Sequence, residues 1–210
     1  MKFSLIKKFL FRVPHLENFI RLLFRPESLA KWTSQEERSC LAKYAAKTEG
    51  KIVEIGTFRG STAAVISKAM PPKSRLFCID PFIADSMDPD ERGSFFISYL
   101  NVLLYGDIKK VTFLKKYSNE AIKDWQDEIK MLWIDGSHHY EDVKTDFKDW
   151  SPFVPSGGYI LFHDSNHADK AGEGKGWPGP TQLCNEIKLG QHGDYRHIDS
   201  VDSLNVFLKP

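Results

Sequence analysis

The stretch that decides the fold is IVEIGTFRGSTA, at residues 52–63. Its apolar first part is typical of a buried strand, Gly56 and Gly60 interrupt the middle, and a helical pattern begins at Ser61. A strand, a turn with glycines and a helix form the first unit of a parallel α/β sheet. Ligands of such sheets bind beyond the carboxyl ends of the strands, so the loop that follows Glu54 is a candidate binding loop.

More apolar runs follow this first unit, and helical patterns separate them. They lie at residues 75–80, 110–114, 131–135 and 159–163. Short, continuously apolar strands between helices are typical of a parallel sheet that is covered on both faces. Two last runs, at 196–198 and 204–208, are too close for a crossover helix and should form an antiparallel hairpin. The predicted fold is therefore a doubly wound α/β domain over residues 32–210 that ends in a hairpin.

Composition limits the classes of function. The chain has 210 residues, of which 41% are hydrophobic and 27% are charged, and this fits one globular domain rather than a disordered chain. A formal net charge of +1 gives no field that would favour a nucleic-acid partner. Cys40, Cys78 and Cys184 are far apart and match neither a disulfide framework nor a zinc knuckle. A reducing cytoplasm is the simplest location for such a chain.

Residues 1–31 carry the one strong charge bias, with seven basic and two acidic side chains. Apolar residues recur at helical spacing on both sides of Pro14, which predicts two short amphipathic helices as an N-terminal extension. No run here approaches the roughly 20 apolar residues of a membrane-spanning helix. Such helices can attach peripherally to an anionic membrane, or they can cap the core or form a homo-oligomer contact. The modest charge favours the cap or the oligomer contact.

The glycine spacing in the first loop indicates which cofactor fits. A dinucleotide site needs GxGxxG so that bare backbone can approach a pyrophosphate, but Phe58 takes the place of the second glycine. Glu54 also places negative charge where a phosphate would lie. S-adenosylmethionine suits the loop better because it has no phosphate and carries a sulfonium and an ammonium group. Asp80, at the end of the second strand, is placed to accept hydrogen bonds from its ribose. A plain tight turn is the alternative explanation of Gly56 and Gly60.

Three runs together resemble a known family: IVEIGTFRGSTA at 52–63, LFCIDPF at 76–82, and MLWIDGSHHYEDVKTDFKDWSPFVPSGGYILFHDS at 131–165. They are similar to class I S-adenosylmethionine-dependent methyltransferases, and especially to the branch with macrocin and other macrolide-sugar O-methyltransferases and cephalosporin hydroxylase-like proteins. The resemblance extends from about residue 32 to the C-terminus. It implies a seven-stranded Rossmann-like sheet and O-methylation of a sugar, glycan or other natural product.

The resemblance also implies the roles of individual residues. Ser118 matches a position near the adenine, and His138 matches a general base. A divalent cation in several relatives is bound at positions that match Asp135, His163 and Asp164, although the metal-using relatives have a glutamate in place of His163. The remaining cofactor contacts are implied at Glu54, Gly56, Thr57, Gly60, Ser61 and Asp80.

The chemistry of O-methylation supports a cation at this place. Neighbouring strands lie about 4.8 Å apart, so Asp135 and Asp164 at two strand ends can face one ion. Two carboxylates suit Mg²⁺, whereas the imidazole of His163 favours a transition metal. An alcohol, with a pKa near roughly 15.7 like that of water, needs a cation or a base to become a nucleophile, so we expect Asp135 and His138 to be catalytic.

Alternatives to this prediction remain open at the level of sequence. The two carboxylates could hold loop backbone instead of a cation, and His139 fits a surface residue or helix cap better than a base. The polar, glycine-rich stretch 165–180, which contains Trp177, is predicted to be a lid or a wall of the acceptor site, or else an ordinary surface loop. A metal-independent N- or O-methyltransferase and a catalytically silent binding module are the two alternative functions.

Overall fold

A computed structural model of the protein describes residues 32–83, 92–167 and 174–210. The predicted helical extension at residues 1–31 lies outside the described residues, so membrane or oligomer contact through it stays a prediction. The helices are α1 (Gln35–Lys47), α2 (Ser61–Ala69), α3 (Phe95–Tyr105), α4 (Ser118–Ala121), α5 (Tyr140–Trp150) and α6 (Pro178–Lys188). The strands are β1 (Lys51–Ile55), β2 (Arg75–Ile79), β3 (Val111–Leu114), β4 (Met131–Ile134), β5 (Tyr159–Phe162), β6 (Ser165–His167), β7 (Gly174–Gly176), β8 (Arg196–Val201) and β9 (Leu204–Leu208).

Seven of these strands form one sheet, in the order β3-β2-β1-β4-β5-β9-β8. The first five in chain order pair in parallel, while β9 runs antiparallel to both β5 and β8. The predicted doubly wound sheet and its C-terminal antiparallel hairpin are therefore confirmed. The strand order reverses between β1 and β4, so the crevice beyond these two strands is the expected ligand site of this topology.

Helices cover both faces of the sheet, which explains why its central strands are continuously apolar. Along β4, Leu132 and Ile134 enter the core beneath α5 and α6. The alternate residues Met131 and Trp133 enter the opposite core, beneath α1 and α2. All four side chains are buried, as the two-residue period of a strand between two helical layers requires.

The main difference from the prediction lies between β5 and α6. The stretch predicted as a polar loop contains a small antiparallel hairpin, in which Ser165 pairs with Gly176, while residues 168–173 are outside the described part. Helix α6 begins at Pro178 rather than near residue 181, because proline fits the first turn of a helix, where its missing N–H is not needed.

Two features bear on the surroundings of the protein. Across the described ranges, no helix combines the length and the apolar character that a membrane crossing requires. The three cysteines are free and buried.

Candidate active site

The loop between β1 and α2 packs directly against the end of β4. Gly56 has a φ of 88°, and a Cβ atom there would lie 1.9 Å from the carbonyl oxygen of Asp135. Gly60 has a φ of 75° and marks the N-terminus of α2, where a Cβ atom would lie 2.8 Å from Cα of Ser98. Both glycines are thus required by the turn and by its neighbours, and they bring the predicted cofactor loop to the edge that carries Asp135.

Glu54 is fully buried near the end of β1. Its Oε1 accepts a 2.5 Å hydrogen bond from Oγ1 of Thr62. Among the described residues its Oε2 has no hydrogen-bond partner of normal geometry, although the side chains of Thr57 and Cys78 lie close enough to stabilise the carboxylate. Burial raises the pKa of Glu54 to about 7. An unpartnered buried carboxylate oxygen is costly unless a ligand or cation reaches it, so this position fits contact with a positively charged group.

Asp80, the predicted ribose acceptor, holds two loops together at the end of β2. Its Oδ2 accepts from the backbone N–H of Phe58 at 2.6 Å, and its Oδ1 accepts from that of Phe82 at 2.5 Å. Both phenylalanines have positive φ values, 52° and 56°. Burial raises the pKa of the Asp80 carboxyl. Because each carboxylate oxygen can accept more than one hydrogen bond, this role leaves acceptor capacity for a ribose hydroxyl.

Ser118, the predicted adenine neighbour, contacts a residue that sequence reasoning missed. Its Oγ donates a 2.5 Å hydrogen bond to Oδ1 of Asp146, a buried residue of α5 whose pKa is raised to about 7 by burial. Asp146 lies on the same helical face as Val143 and Phe147, and that periodicity was the available sign that its carboxylate is buried. Its Oδ2 is 3.4 Å from the place that a Cβ on Gly136 would occupy, so the pair borders the loop after β4.

The predicted cation ligands and base meet where β4 and β5 end. Ligand atoms of Asp135, His138 and Asp164 all lie within 4.8 Å of one another. Nδ1 of His163 lies 2.9 Å from Oδ1 of Asp135 and 3.4 Å from Oδ2 of Asp164. Nε2 of His138 lies 3.0 Å from the same Oδ2. The group that could hold a metal ion therefore contains Asp135, Asp164 and the predicted base His138, whereas the third predicted ligand, His163, is paired with Asp135 and Asp164.

Charges within this cluster compensate one another. Burial would raise the pKa of Asp164, but hydrogen bonds from His138 and His163 hold it well below the usual range. Burial would lower the pKa of His163, but Asp135 and the other neighbouring carboxylates raise it well above its ordinary value. For Asp135, burial prevails and the pKa is raised. Positive charge at this place, from an imidazolium or from a bound cation, is thus what the carboxylates require.

The two adjacent histidines have different surroundings. His138 stacks on Trp177, with 5.2 Å between ring centroids and 14° between ring planes. Its buried Nδ1 has no hydrogen-bond partner among the described residues. His139 is exposed at the N-cap position of α5, but its side chain makes no capping hydrogen bond there, so it fits the predicted surface residue. Trp177, whose backbone N–H donates to the carbonyl of Asp164 at 2.7 Å, brings part of the predicted lid stretch to the site.

Helix α1 contributes a second residue that sequence reasoning missed. Oε2 of the buried Glu37 lies 3.4 Å from Nε2 of His163. Glu37 shares one helical face with the buried Leu41 and Tyr44, so its position on that face was the sign in the sequence.

Comparisons with known proteins identify the family of the chain. The family described as "Methyltransferase domain" matches residues 53–165, which is more than half of the chain. The uncharacterized protein R132 of Acanthamoeba polyphaga mimivirus is 29% identical over 161 residues, 74% of this chain and 69% of R132. The uncharacterized protein y4gI of Sinorhizobium fredii is 30% identical over 120 residues, 55% of this chain. The match covers only 13% of the length of y4gI.

Among solved structures, the fold is similar to that of the O-methyltransferase TomG from Streptomyces achromogenes, which is involved in tomaymycin synthesis and was solved in complex with S-adenosylmethionine. The TM-score is 0.58 at 13% sequence identity, and the similarity covers 85% of this chain and 82% of TomG. The chain belongs to the methyltransferase domain family and has the Rossmann-like fold of class I S-adenosylmethionine-dependent methyltransferases.

Proposed function

We propose that this protein transfers the methyl group of S-adenosylmethionine to a hydroxyl group of a small molecule or glycan, with the help of a divalent cation. The observation that carries the proposal is the gathering of Asp135, His138 and Asp164 beside the loop that contains Gly56. A loop suited to the cofactor and a cluster suited to hydroxyl activation therefore share one edge of the sheet.

The cofactor part rests on charge and on hydrogen-bonding capacity. Glu54 offers an unpartnered buried oxygen to the positive charge of the methionine part. Asp80 offers hydrogen-bond acceptors to the ribose. The Ser118–Asp146 pair borders the loop after β4, where the adenine of the cofactor would lie. The loop that contains Gly56 has no phosphate-binding features, and this suits a cofactor that has no phosphate.

The residues that would hold the cation are Asp135, Asp164 and His163. Nδ1 of His163 lies 2.9 Å from Oδ1 of Asp135 and 3.4 Å from Oδ2 of Asp164, and such spacing suits ligands that share one small ion. Two carboxylates and one imidazole match Mg²⁺ or a divalent transition metal. When bound, the cation acts as a Lewis acid that lowers the pKa of the acceptor hydroxyl.

His138 is the proposed general base. Because an ionised carboxylate only accepts hydrogen bonds, the 3.0 Å contact with Asp164 places the ring proton on Nε2 and leaves the lone pair on Nδ1. Asp164 orients His138 in this way, as the aspartate of a catalytic triad orients its histidine. The free Nδ1 then takes the hydroxyl proton while the oxygen attacks the methyl carbon, and the bond between that carbon and the sulfonium sulfur breaks to leave S-adenosylhomocysteine.

The rest of the catalysis is positioning. Methyl transfer needs the acceptor oxygen, methyl carbon and sulfur in line, and holding them so removes much of the entropic barrier. Trp177 covers His138 and remains 38% exposed, so its indole offers a flat wall to an acceptor. A sugar ring or another natural-product ring would fit this wall, and TomG, a similar O-methyltransferase, is involved in tomaymycin synthesis.

The test combines binding with turnover. Calorimetry should show that the protein binds S-adenosylhomocysteine, and a screen of hydroxylated acceptors should give methyl transfer that excess chelator abolishes and added Mg²⁺ or Mn²⁺ restores. Transfer that persists in chelator would instead support a metal-independent methyltransferase. No binding of S-adenosylhomocysteine at millimolar concentration would indicate a silent binding module and refute the proposal.

A further inference from the structure

The carboxylate of Glu37 connects helix α1 to the cation cluster. Its Oε2 lies 3.4 Å from Nε2 of His163, and the opposite ring nitrogen, Nδ1, faces Asp135 and Asp164 at 2.9 and 3.4 Å. His163 and Glu37 are both nearly inaccessible to solvent, with exposures of 4% and 3%. Glu37 also precedes residues 53–165, the part of the chain that matches the methyltransferase domain family.

Helix capping alone does not explain the burial of Glu37. The residue forms a capping box with Ser34, whose backbone N–H donates to Oε2 at 2.8 Å. It additionally accepts from the backbone N–H and the hydroxyl of Ser203, at 2.9 and 2.6 Å, in the turn between β8 and β9. A cap can operate at the protein surface, whereas burying a carboxylate costs free energy that its partners must offset. Glu37 thus has two partners that a helix cap does not need: Ser203, which donates to Oε1, and His163, which faces Oε2.

We infer that Glu37 is a positioning residue for the cation site: it holds Nε2 of His163 so that Nδ1 faces Asp135 and Asp164. A carboxylate that accepts from the far nitrogen of a metal-binding imidazole fixes both the plane of the ring and the nitrogen that remains free for the ion. This inference rests on the cation site of the proposed function. Helix α1, which carries Glu37, and the β8–β9 turn, which contains Ser203, then help to hold His163 in position.

The variant that tests this role is Glu37→Ala, which removes the carboxylate from both His163 and Ser203 and leaves an alanine that a helix tolerates well. The matched control is Ser34→Ala, which weakens the same helix cap without touching the imidazole. We expect Glu37→Ala to weaken Mn²⁺ binding, measured by calorimetry, about 10- to 100-fold. Affinity for S-adenosylhomocysteine should stay within about twofold in both variants, and Ser34→Ala should bind Mn²⁺ as the unaltered protein does.

A second measurement does not need the cation. In the unaltered, cation-free protein with ¹⁵N-labelled histidines, Nε2 of His163 should carry a slowly exchanging proton, and Glu37→Ala should shift or broaden its signal while Ser34→Ala retains it. An unprotonated Nε2, an unchanged signal in Glu37→Ala, or equal loss of Mn²⁺ affinity in both variants would overturn the inference. If the unaltered protein binds no divalent ion, the cation part of the proposed function fails, and the ring signal then decides only whether Glu37 orients His163.

Discussion

Nε2 of His138 lies 3.0 Å from Oδ2 of Asp164, at the ends of two neighbouring strands. The stack on Trp177 fixes the plane of the same imidazole, so a carboxylate and an indole together restrain the ring. The nitrogen that remains, Nδ1, is buried and has no hydrogen-bond partner in the described part of the chain. A restrained imidazole with one free nitrogen is the arrangement that a general base requires.

Replacing His138 by alanine should lower the methylation rate by about 10²- to 10⁴-fold, the range that general base catalysis contributes. The affinity for S-adenosylhomocysteine should be nearly unchanged, because the cofactor contacts lie on other loops. The neighbouring His139→Ala is the control, since His139 is exposed and should leave the rate within about twofold.

The same variant distinguishes a base from a cation ligand, because a ring nitrogen of His138 lies among the possible ligand atoms. Calorimetry with Mn²⁺ should give the same affinity for His138→Ala and for the unaltered protein. A variant that loses turnover together with Mn²⁺ affinity would assign His138 to the ligand set and remove it as the base.

Asp135→Asn should lose both divalent cation affinity and turnover, each by more than about 100-fold, because one of two carboxylates that face the ion becomes neutral. Cation titration by calorimetry and the methylation assay measure the two effects. Glu141→Gln removes an exposed carboxylate on α5 and should change neither. Normal turnover of Asp135→Asn would exclude Asp135 from the mechanism.

The competition between a proton and the ion gives the pH dependence of this site. The carboxylates raise the pKa of His163 well above its ordinary value, so in the cation-free protein the imidazole carries a proton that a ligating nitrogen must release. Cation affinity should therefore increase as the pH rises, and it should continue to increase above the pH at which an ordinary histidine has lost its proton. Calorimetry at several pH values measures this. An affinity independent of pH would argue against His163 as a ligand.

The order of elements and the edge that carries the site could be predicted from the sequence. Strand periodicity and glycine turns are local signals, and a parallel sheet brings all its carboxyl ends to one edge, so Glu54, Asp80, Asp135 and Asp164 were expected there together. The β6–β7 hairpin could not be predicted in this way. Its pairing depends on contact between Ser165 and Gly176 across a segment with no apolar alternation.

Contacts between side chains that lie far apart in sequence could not be predicted either. The contact between Glu37 and His163 spans 126 positions, and the stack of His138 on Trp177 depends on how α6 docks. Helical periodicity predicts that Glu37 lies on a buried face, but it cannot identify the residues that pack against that face. The surroundings of a buried charge depend on tertiary packing, which a single sequence does not show.

Gly56→Ala tests the contact between the cofactor loop and β4. A side chain at a φ of 88° is strained by about 1–3 kcal/mol, and its Cβ atom would lie 1.9 Å from the carbonyl oxygen of Asp135, so the backbone must move. We expect chemical denaturation to show a loss of roughly 3 kcal/mol or more in the free energy of unfolding. Cation affinity should also fall because Asp135 is displaced.

Gly157→Ala is the matched control for this effect. Its φ of 80° imposes similar backbone strain, but nothing lies within 4 Å of its Cβ position. It should therefore lose only the strain energy, about 1–3 kcal/mol, and keep its cation affinity. Equal losses of stability in the two variants, with Asp135 still functional in both, would show that the close approach of Gly56 is unimportant.

Cofactor affinity should depend on the ionisation of Glu54. Burial raises its pKa to about 7 in the free protein, whereas a cationic ligand prefers the ionised form. Affinity for S-adenosylmethionine should therefore rise as the pH increases from about 5 to about 7, by up to about tenfold per pH unit, and level off above that.

The stability of the free protein should change in the opposite direction. The folded state binds the proton more tightly than the unfolded chain, in which the pKa of this carboxyl has its ordinary value of 4.5. The contribution of Glu54 to the free energy of unfolding should therefore fall as the pH rises from 4.5 to about 7.

Glu54→Gln separates these effects from other titrations. The variant should bind S-adenosylmethionine weakly at every pH and should show a flatter pH profile of unfolding. Calorimetry and chemical denaturation at four or five pH values measure both quantities. If the affinity of the variant followed the same pH curve as that of the unaltered protein, another group would be responsible, and the unpartnered Oε2 of Glu54 would have no part in recognising the cofactor's positive charge.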